Sequence, residues 1–269
     1  MSNKIPRGSL KPGDVLLYQG TGVISELIRL FDGGSYSHAS VYDGANMLEA
    51  LADGTVTDSV DQSVKTARFV DVYRFVSADG THFGQPGCDS KPVLDRIKFY
   101  EQNPERYAYE QILLLALLCS TRHPKPGTIS PALAMILRKI LDSAADVIAR
   151  MIHAGKEPMI CSELVYRCYT EAGEQYQILI RGTDIPLLAS FVPMTAADAP
   201  PTSVDVAFQQ EAAAFLSNYS VAKRHKPGGS PIAVAMAAGG VAKAAAVADF
   251  VTPHDLENSP DLQKFGTLE

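Results

Sequence analysis

The chain has 269 residues, of which 46% are hydrophobic and 20% are charged. This balance is typical of a globular protein and excludes a disordered or fibrous chain. The formal net charge of −6 argues against nucleic-acid binding driven by the phosphate backbone. The length suits either one large domain or two small ones.

The predicted elements change from strands to helices along the chain. Strands are indicated at 15–18, 37–42, 47–51 and 68–76, and a short amphipathic helix is indicated between Gly22 and Gly33. Helical periodicity then predicts helices at 92–102, 110–120, 131–154, 161–173 and 208–219. Strands followed by helices predict an α+β fold.

The segment SHASVYDGANMLEA is predicted to form a β-hairpin. Asp43-Gly44 is a two-residue turn signal that commonly joins antiparallel strands. With that turn His38 lies directly opposite Glu49, with Cβ atoms about 5 Å apart. A four-residue loop would leave the two residues diagonal on one face, and a three-residue loop would break the relation. The pair is either a carboxylate that orients an imidazole or an ion pair on a solvent-facing strand.

Cys161 is predicted to lie in the first turn of a helix. Cys161, Leu164 and Val165 are spaced to share one helix face, which also includes Cys168. A helix N-terminus favours a thiolate, and a neighbouring imidazolium favours it further. These are the requirements of a cysteine nucleophile. The alternative is a buried structural thiol, which is the interpretation given to Cys168 and to Cys88 and Cys119.

No metal or cofactor site is predicted. The four cysteines lack the paired spacing of a zinc site and are too few for a disulfide scaffold. The remaining histidines share no metal-ligand spacing; they are His82, His123, His153, His225 and His254.

The hairpin SHASVYDGANMLEA, followed far downstream by CSELVYRCY, resembles the circularly permuted branch of the NlpC/p60 papain-like cysteine peptidase superfamily, in particular its YiiX-like subgroup. In that branch the histidine strand precedes the cysteine helix. The segments LKPGDVLLYQG and VTPHDLENSP also look like the first strand and the closing segment of this family. The resemblance implies a permuted papain-like fold in which an antiparallel sheet packs against the cysteine helix. It implies a single catalytic domain over 1–269, with a helical insertion at 121–157 and a flexible or alanine-rich segment at 221–248.

The resemblance also implies the roles of the site residues. Cys161 would be the nucleophile, His38 the general base and then the general acid, and Glu49 the residue that orients His38. The backbone N–H of Cys161 would stabilise the oxyanion together with a second donor. Candidate substrate-binding residues are Tyr36, Tyr107 and Tyr109.

The activity that this resemblance implies is hydrolysis of an amide bond. The first substrate to expect is the γ-D-glutamyl–diaminopimelate linkage of bacterial peptidoglycan stem peptides. Residues 1–14 contain no apolar core of a Sec-type signal peptide, and no integral membrane span is expected. The protein is therefore expected to be cytoplasmic or to be exported by a signal-independent apparatus, as an antibacterial effector with a secretion-apparatus or immunity-protein partner.

Two other functions stay open. Lecithin:retinol acyltransferase-like proteins share the permuted order, so a lipid acyltransferase or thioesterase is one alternative. They usually carry Asn-Cys-Glu-His-Phe, where this chain has Ile-Cys-Ser-Glu-Leu at 160–164, and a second histidine where Glu49 stands. Both differences disfavour the lipid interpretation. The other alternative is a binding module that keeps the fold without turnover.

Overall fold

The computed structural model describes residues 3–51, 54–104, 107–109, 111–121, 130–180, 203–224 and 248–269. These residues form an α+β structure with a mixed sheet and several helices, so the predicted fold class is confirmed. The chain divides into two compact units. The first comprises Met1–Gln111, Met159–Arg181 and Ala248–Glu269, and the second comprises Ile112–Pro158 and Gly182–Val247. The predicted insertion at 121–157 belongs to the second unit.

A seven-stranded sheet is the centre of the first unit. Its strands are β1 (Lys4–Ile5), β2 (Val15–Gly20), β3 (His38–Tyr42), β4 (Met47–Leu51), β5 (Gly54–Asp58), β6 (Ala67–Phe75) and β9 (Leu262–Leu268). Their order across the sheet is β1-β9-β6-β2-β3-β4-β5. All neighbours are antiparallel except β1 and β9, which are parallel. The expectation of an antiparallel sheet is therefore wrong at this edge, because the first strand in the sequence pairs with the last.

The hairpin of β3 and β4 has a longer loop than the sequence predicts. Tyr42 pairs with Met47, so the loop contains four residues, and Ser40 rather than His38 lies opposite Glu49. The loop is closed because the backbone N–H of Asp43 donates to the carbonyl of Asn46 at 2.9 Å. The prediction of direct opposition is therefore wrong, and the diagonal arrangement that goes with a four-residue loop is found instead.

The described helices of the first unit are α1 (Val23–Asp32), α2 (Val60–Val64), α3 (Lys91–Glu101), α6 (Cys161–Thr170) and α8 (Pro253–Glu257). Helices α1, α3 and α6 lie close to the predicted positions, whereas α2 and α8 were not predicted. Helix α1 ends at Gly33, whose φ of 73° is the left-handed conformation that glycine adopts without strain. Helix α6 packs against β3. The cysteine helix therefore lies against the sheet, as the sequence predicts.

A pair of long helices forms most of the described part of the second unit. The helices of this unit are α4 (Gln111–Thr121, whose first residue belongs to the first unit), α5 (Pro131–His153) and α7 (Ser203–Arg224). Helix α5 begins with the predicted cap, since the Ser130 hydroxyl accepts a hydrogen bond from the Leu133 N–H at 3.2 Å. Helices α5 and α7 pack against each other, and Arg138 on α5 is 3.2 Å from Glu211 on α7.

Other elements were not anticipated or cannot be compared with the prediction. Strands β1, β5 and β9 and helices α2 and α8 lie outside the predicted elements. So do two short strands, β7 (Tyr107–Tyr109) and β8 (Glu157–Met159). The predicted flexible segment at 221–248 falls mostly outside the described residues, although 221–224 end α7. Among the helices that the structure describes, none has the length and apolar character needed to cross a membrane.

Candidate active site

His38 is the first residue of β3, and its neighbours on β2 determine its position. Tyr18 is its cross-strand partner, and the centroids of the two rings are 5.2 Å apart. The start of β3 is held by the residue before it: the Ser37 N–H donates to the Tyr18 carbonyl at 2.9 Å, and the Gly20 N–H donates to the Ser37 hydroxyl at 3.1 Å. A Cβ atom at Gly20 would lie 2.9 Å from Ser37 Oγ, so a larger residue would disturb this arrangement.

Glu49 lies beside His38 although the two residues are diagonal in the sheet. Its Oε2 atom is 3.6 Å from His38 Nε2, and the side chains are 5% and 8% exposed, respectively. An ion pair this well buried is screened much less by solvent than one on the surface. The alternative of an ion pair on a solvent-facing strand is therefore wrong for this pair.

Hydroxyl groups from two elements contact the other oxygen of Glu49. The Tyr18 hydroxyl donates to Glu49 Oε1 at 3.3 Å, and the Ser63 hydroxyl on α2 donates to the same atom. The Tyr18 and Ser63 hydroxyls are 2.6 Å apart, and Tyr18 also shares a 2.6 Å hydrogen bond with Ser40. Burial by itself raises the pKa of Glu49, but His38, Ser63 and Tyr18 stabilise the carboxylate and lower its pKa overall.

Sequence reasoning missed this hydroxyl network. Tyr18 could have been found, because alternation along β2 and β3 places it on the face that carries His38. Ser63 offered no such signal, since it follows Glu49 by 14 residues and reaches it only through the packing of α2.

Cys161 is the first residue of α6 and lies near enough to the His38 imidazole to favour its charged form. It is only 5% exposed. Burial by itself lowers the pKa of His38, but Cys161 and Glu49 both favour the imidazolium and raise the pKa from 6.5 to about 10. The structure thus brings Cys161, His38 and Glu49 together.

Helix α6 is anchored immediately beyond Cys161. The Ser162 hydroxyl donates to the Val251 carbonyl at 2.6 Å. One turn later Arg167 contacts Glu163 at 2.7 Å and Asp249 at 2.9 Å, and both carboxylates are fully buried. These contacts join the helix to the segment that precedes α8, so they limit movement of the thiol relative to the sheet.

The other cysteines have surroundings that suppress their reactivity. Burial raises the pKa of Cys88, raises that of Cys119 to about 12, and raises that of Cys168 well above its ordinary value. A thiol with a raised pKa is a poor nucleophile at neutral pH because little thiolate is present. The interpretation of these three residues as buried structural thiols agrees with these surroundings.

The candidate substrate-binding tyrosines have different positions. The Tyr36 hydroxyl donates to Asp71 at 2.6 Å and lies 3.1 Å from the Tyr73 hydroxyl, inside the first unit. Tyr107 and Tyr109 lie on β7, and their side chains are outside the described part of the structure. Substrate binding by these three residues stays a prediction. Within the described ranges, no group of three or more His, Cys, Asp or Glu side chains is placed to hold a metal ion.

Comparisons with known proteins give a distant likeness to a solved structure. No family model and no curated protein matches the chain. The crystal structure of the metalloprotein YiiX from Escherichia coli O157:H7 is similar with a TM-score of 0.43 and 13% identity, covering 95% of this chain and 96% of that one. Membership of the NlpC/p60 superfamily and the permuted papain-like fold stay predictions from the sequence.

Proposed function

We propose that this protein is a cysteine hydrolase that cleaves amide bonds. Cys161 is the nucleophile, His38 transfers protons, and Glu49 holds His38 in orientation. The observation that carries the proposal is that a buried imidazole has as neighbours both a carboxylate, at 3.6 Å, and the thiol at the start of a helix. An imidazole held by an acid beside a nucleophile is the arrangement used for acyl transfer on unrelated folds.

The first half of the reaction forms a thioester. The imidazolium of His38 and the N-terminal end of α6 favour the thiolate of Cys161, which attacks the carbonyl carbon of the amide. The carbonyl oxygen becomes negative, and the backbone N–H of Cys161, in the first turn of the helix, donates a hydrogen bond to it in this proposal. His38 then gives its proton to the amide nitrogen, the C–N bond breaks and the amine leaves.

The second half returns the enzyme to its starting state. Neutral His38 accepts a proton from water while the water oxygen attacks the thioester carbon. The C–S bond breaks, which releases the carboxylic acid and restores the thiolate beside the imidazolium. Glu49 stays ionised throughout, because its role is to stabilise the imidazolium and to hold the ring.

The substrate class that we propose is the peptide stem of bacterial peptidoglycan, with the γ-D-glutamyl–diaminopimelate bond as the scissile linkage. The resemblance of the hairpin and of the Cys161 helix to the permuted NlpC/p60 branch supports this choice. Cleavage of this amide bond releases an amine, and the amine nitrogen must receive a proton before it can leave. His38 can supply this proton, because its raised pKa of about 10 keeps the imidazolium populated at neutral pH.

A digest of purified muropeptides tests the proposal, with products separated by chromatography and identified by mass. A panel of phospholipids is incubated in parallel to test the lipid alternative. The wild-type protein is expected to cleave the stem peptide, and iodoacetamide is expected to abolish cleavage. Cys161→Ala should have no detectable activity. Cys168→Ala, on the same helix but with a buried thiol outside the site, should stay active.

Each outcome bears directly on the proposal. Loss of activity in Cys168→Ala with retention in Cys161→Ala would show that the wrong thiol has been assigned. Cleavage of phospholipid but not of muropeptide would support the acyltransferase or thioesterase alternative. No turnover of either substrate by a folded wild-type protein, as judged by circular dichroism, would favour a binding module.

A further inference from the structure

The Glu49 carboxylate is supported by a hydroxyl pair that comes from two separate elements. Tyr18 lies on β2, two strands away from β4, and Ser63 lies on α2, which follows β5 in the chain. Both donate to Oε1 of Glu49, while Oε2 faces His38. The two carboxylate oxygens thus have different contacts: Oε1 accepts hydrogen bonds and Oε2 faces the imidazole.

A carboxylate in this position requires such donors. Glu49 is 4% exposed, and a buried ionised carboxylate is costly unless hydrogen bonds and an opposite charge compensate for the lost water. The Tyr18 and Ser63 hydroxyls are also 2.6 Å from each other, so each restricts the other. Tyr18 is restrained further by Ser40, at 2.6 Å. The network therefore fixes the rotation of the carboxylate as well as its charge.

We propose that Tyr18 and Ser63 are positioning residues that keep Glu49 ionised and turned toward His38. Neither residue is assigned a contact with substrate or with the Cys161 sulfur. They act through Glu49, in the way that outer hydrogen-bond partners orient a functional side chain elsewhere. The inference rests on the proposed function only because His38 is taken to exchange protons with Cys161. The effect of the two hydroxyls on His38 can be measured without a substrate.

The direction of the expected effect follows from the groups that face the pair. Among the described residues, the titratable groups that act on Glu49 are His38 on β3 and Tyr18 on β2, and the group that acts on His38 from α6 is Cys161. From helix α2 the uncharged Ser63 faces Glu49, and the acidic Asp61 of this helix pairs with Arg7 at the surface. Removal of either hydroxyl makes the Glu49 carboxylate less favourable. The imidazolium of His38 then loses part of its support, so the pKa of His38 falls.

The experiment measures the His38 pKa by NMR titration of the full chain with isotopically labelled histidine. The His38 signal is assigned by its absence in His38→Gln. Tyr18→Phe and Ser63→Ala are each expected to lower the His38 pKa measurably, and the double variant should lower it further. Ser63→Thr keeps a hydroxyl and should restore a value near that of the wild type. With a cleavable substrate, Tyr18→Phe and Ser63→Ala should lower kcat about 10-fold to 100-fold and leave KM within about 2-fold.

Tyr73→Phe is the matched control. Tyr73 is also a buried tyrosine of the sheet, on β6, but its hydroxyl bonds to Tyr36 rather than to the site, so the His38 pKa should not change. An unchanged His38 pKa in folded Tyr18→Phe and Ser63→Ala would overturn the inference even if the protein hydrolyses amides. If the pKa shifts appear but no substrate is cleaved, the positioning role stands and the proposed function fails. Ser63 is half-buried on a short helix, so Ser63→Ala remains informative if Tyr18→Phe does not fold.

Discussion

Substitution of Glu49 by Gln isolates the electrostatic part of the proposed mechanism, because it keeps the size of the side chain and removes its charge. With Oε2 3.6 Å from His38 Nε2, Coulomb's law at an effective dielectric constant of about 20 gives an attraction of about 5 kcal/mol. One pKa unit corresponds to about 1.4 kcal/mol. The substitution is therefore expected to lower the pKa of His38 by up to about 3 units, from about 10 toward the ordinary value of 6.5.

The assay is the rate at which iodoacetamide alkylates Cys161, followed by mass spectrometry from about pH 5 to about pH 9. The proposed mechanism requires a thiolate at Cys161 near neutral pH, whereas an ordinary thiol has a pKa of about 8.5. In the wild type, Cys161 should thus react rapidly near pH 7. In Glu49→Gln the ion pair is weakened, and the rate at this pH should fall at least about 10-fold.

A second histidine–carboxylate pair provides the control. His254 Nδ1 is 3.1 Å from Glu257 Oε2, so Glu257→Gln removes a similar charge from a different histidine and should leave the alkylation profile unchanged. If Glu49→Gln and the wild type are alkylated with the same pH dependence, the charge of Glu49 has no effect on the reactivity of Cys161 through His38, and the reasoning is refuted. Alkylation of the wild type that rises only above pH 8 or so would contradict the ion pair itself.

Two further predictions concern stability and are measured by urea denaturation. In Asp14→Asn the buried guanidinium of Arg74 loses the carboxylate that accepts two hydrogen bonds from it at 2.7 Å. The free energy of unfolding should fall by about 3 to 5 kcal/mol. The control is Asp95→Asn, in an exposed pair with Lys91, which should lower it by less than about 1 kcal/mol. Burial and the neighbouring Asp43 raise the pKa of Glu101 from 4.5 to about 7, so the wild type should lose stability as pH rises through this interval. Glu101→Gln should not show that loss, and parallel pH profiles for the two proteins would contradict it.

Much of the candidate site could be predicted from local patterns in the sequence. Alternation along the hairpin places His38 and Glu49 on one face, and helical spacing places Cys161 at the start of a helix. The length of the hairpin loop could not be predicted in the same way. Asp43-Gly44 is a strong signal for a two-residue loop, but the Asp43 side chain accepts a hydrogen bond from the Asn46 N–H at 2.6 Å and so stabilises a four-residue loop. The register therefore depended on a side-chain contact that competes with the usual turn.

The sequence by itself determined the α+β class, most of the helices, and the residue types that make acyl-transfer chemistry feasible, because these depend on periodicity and on groups close together in the chain. The tertiary structure decided which of the four cysteines lies at the imidazole and which hydroxyls hold the carboxylate. Cys161 is separated from His38 by more than 100 residues, and Ser63 reaches Glu49 through the packing of a short helix against the sheet. Contacts of this kind form only when the whole sheet assembles, so no local pattern encodes them.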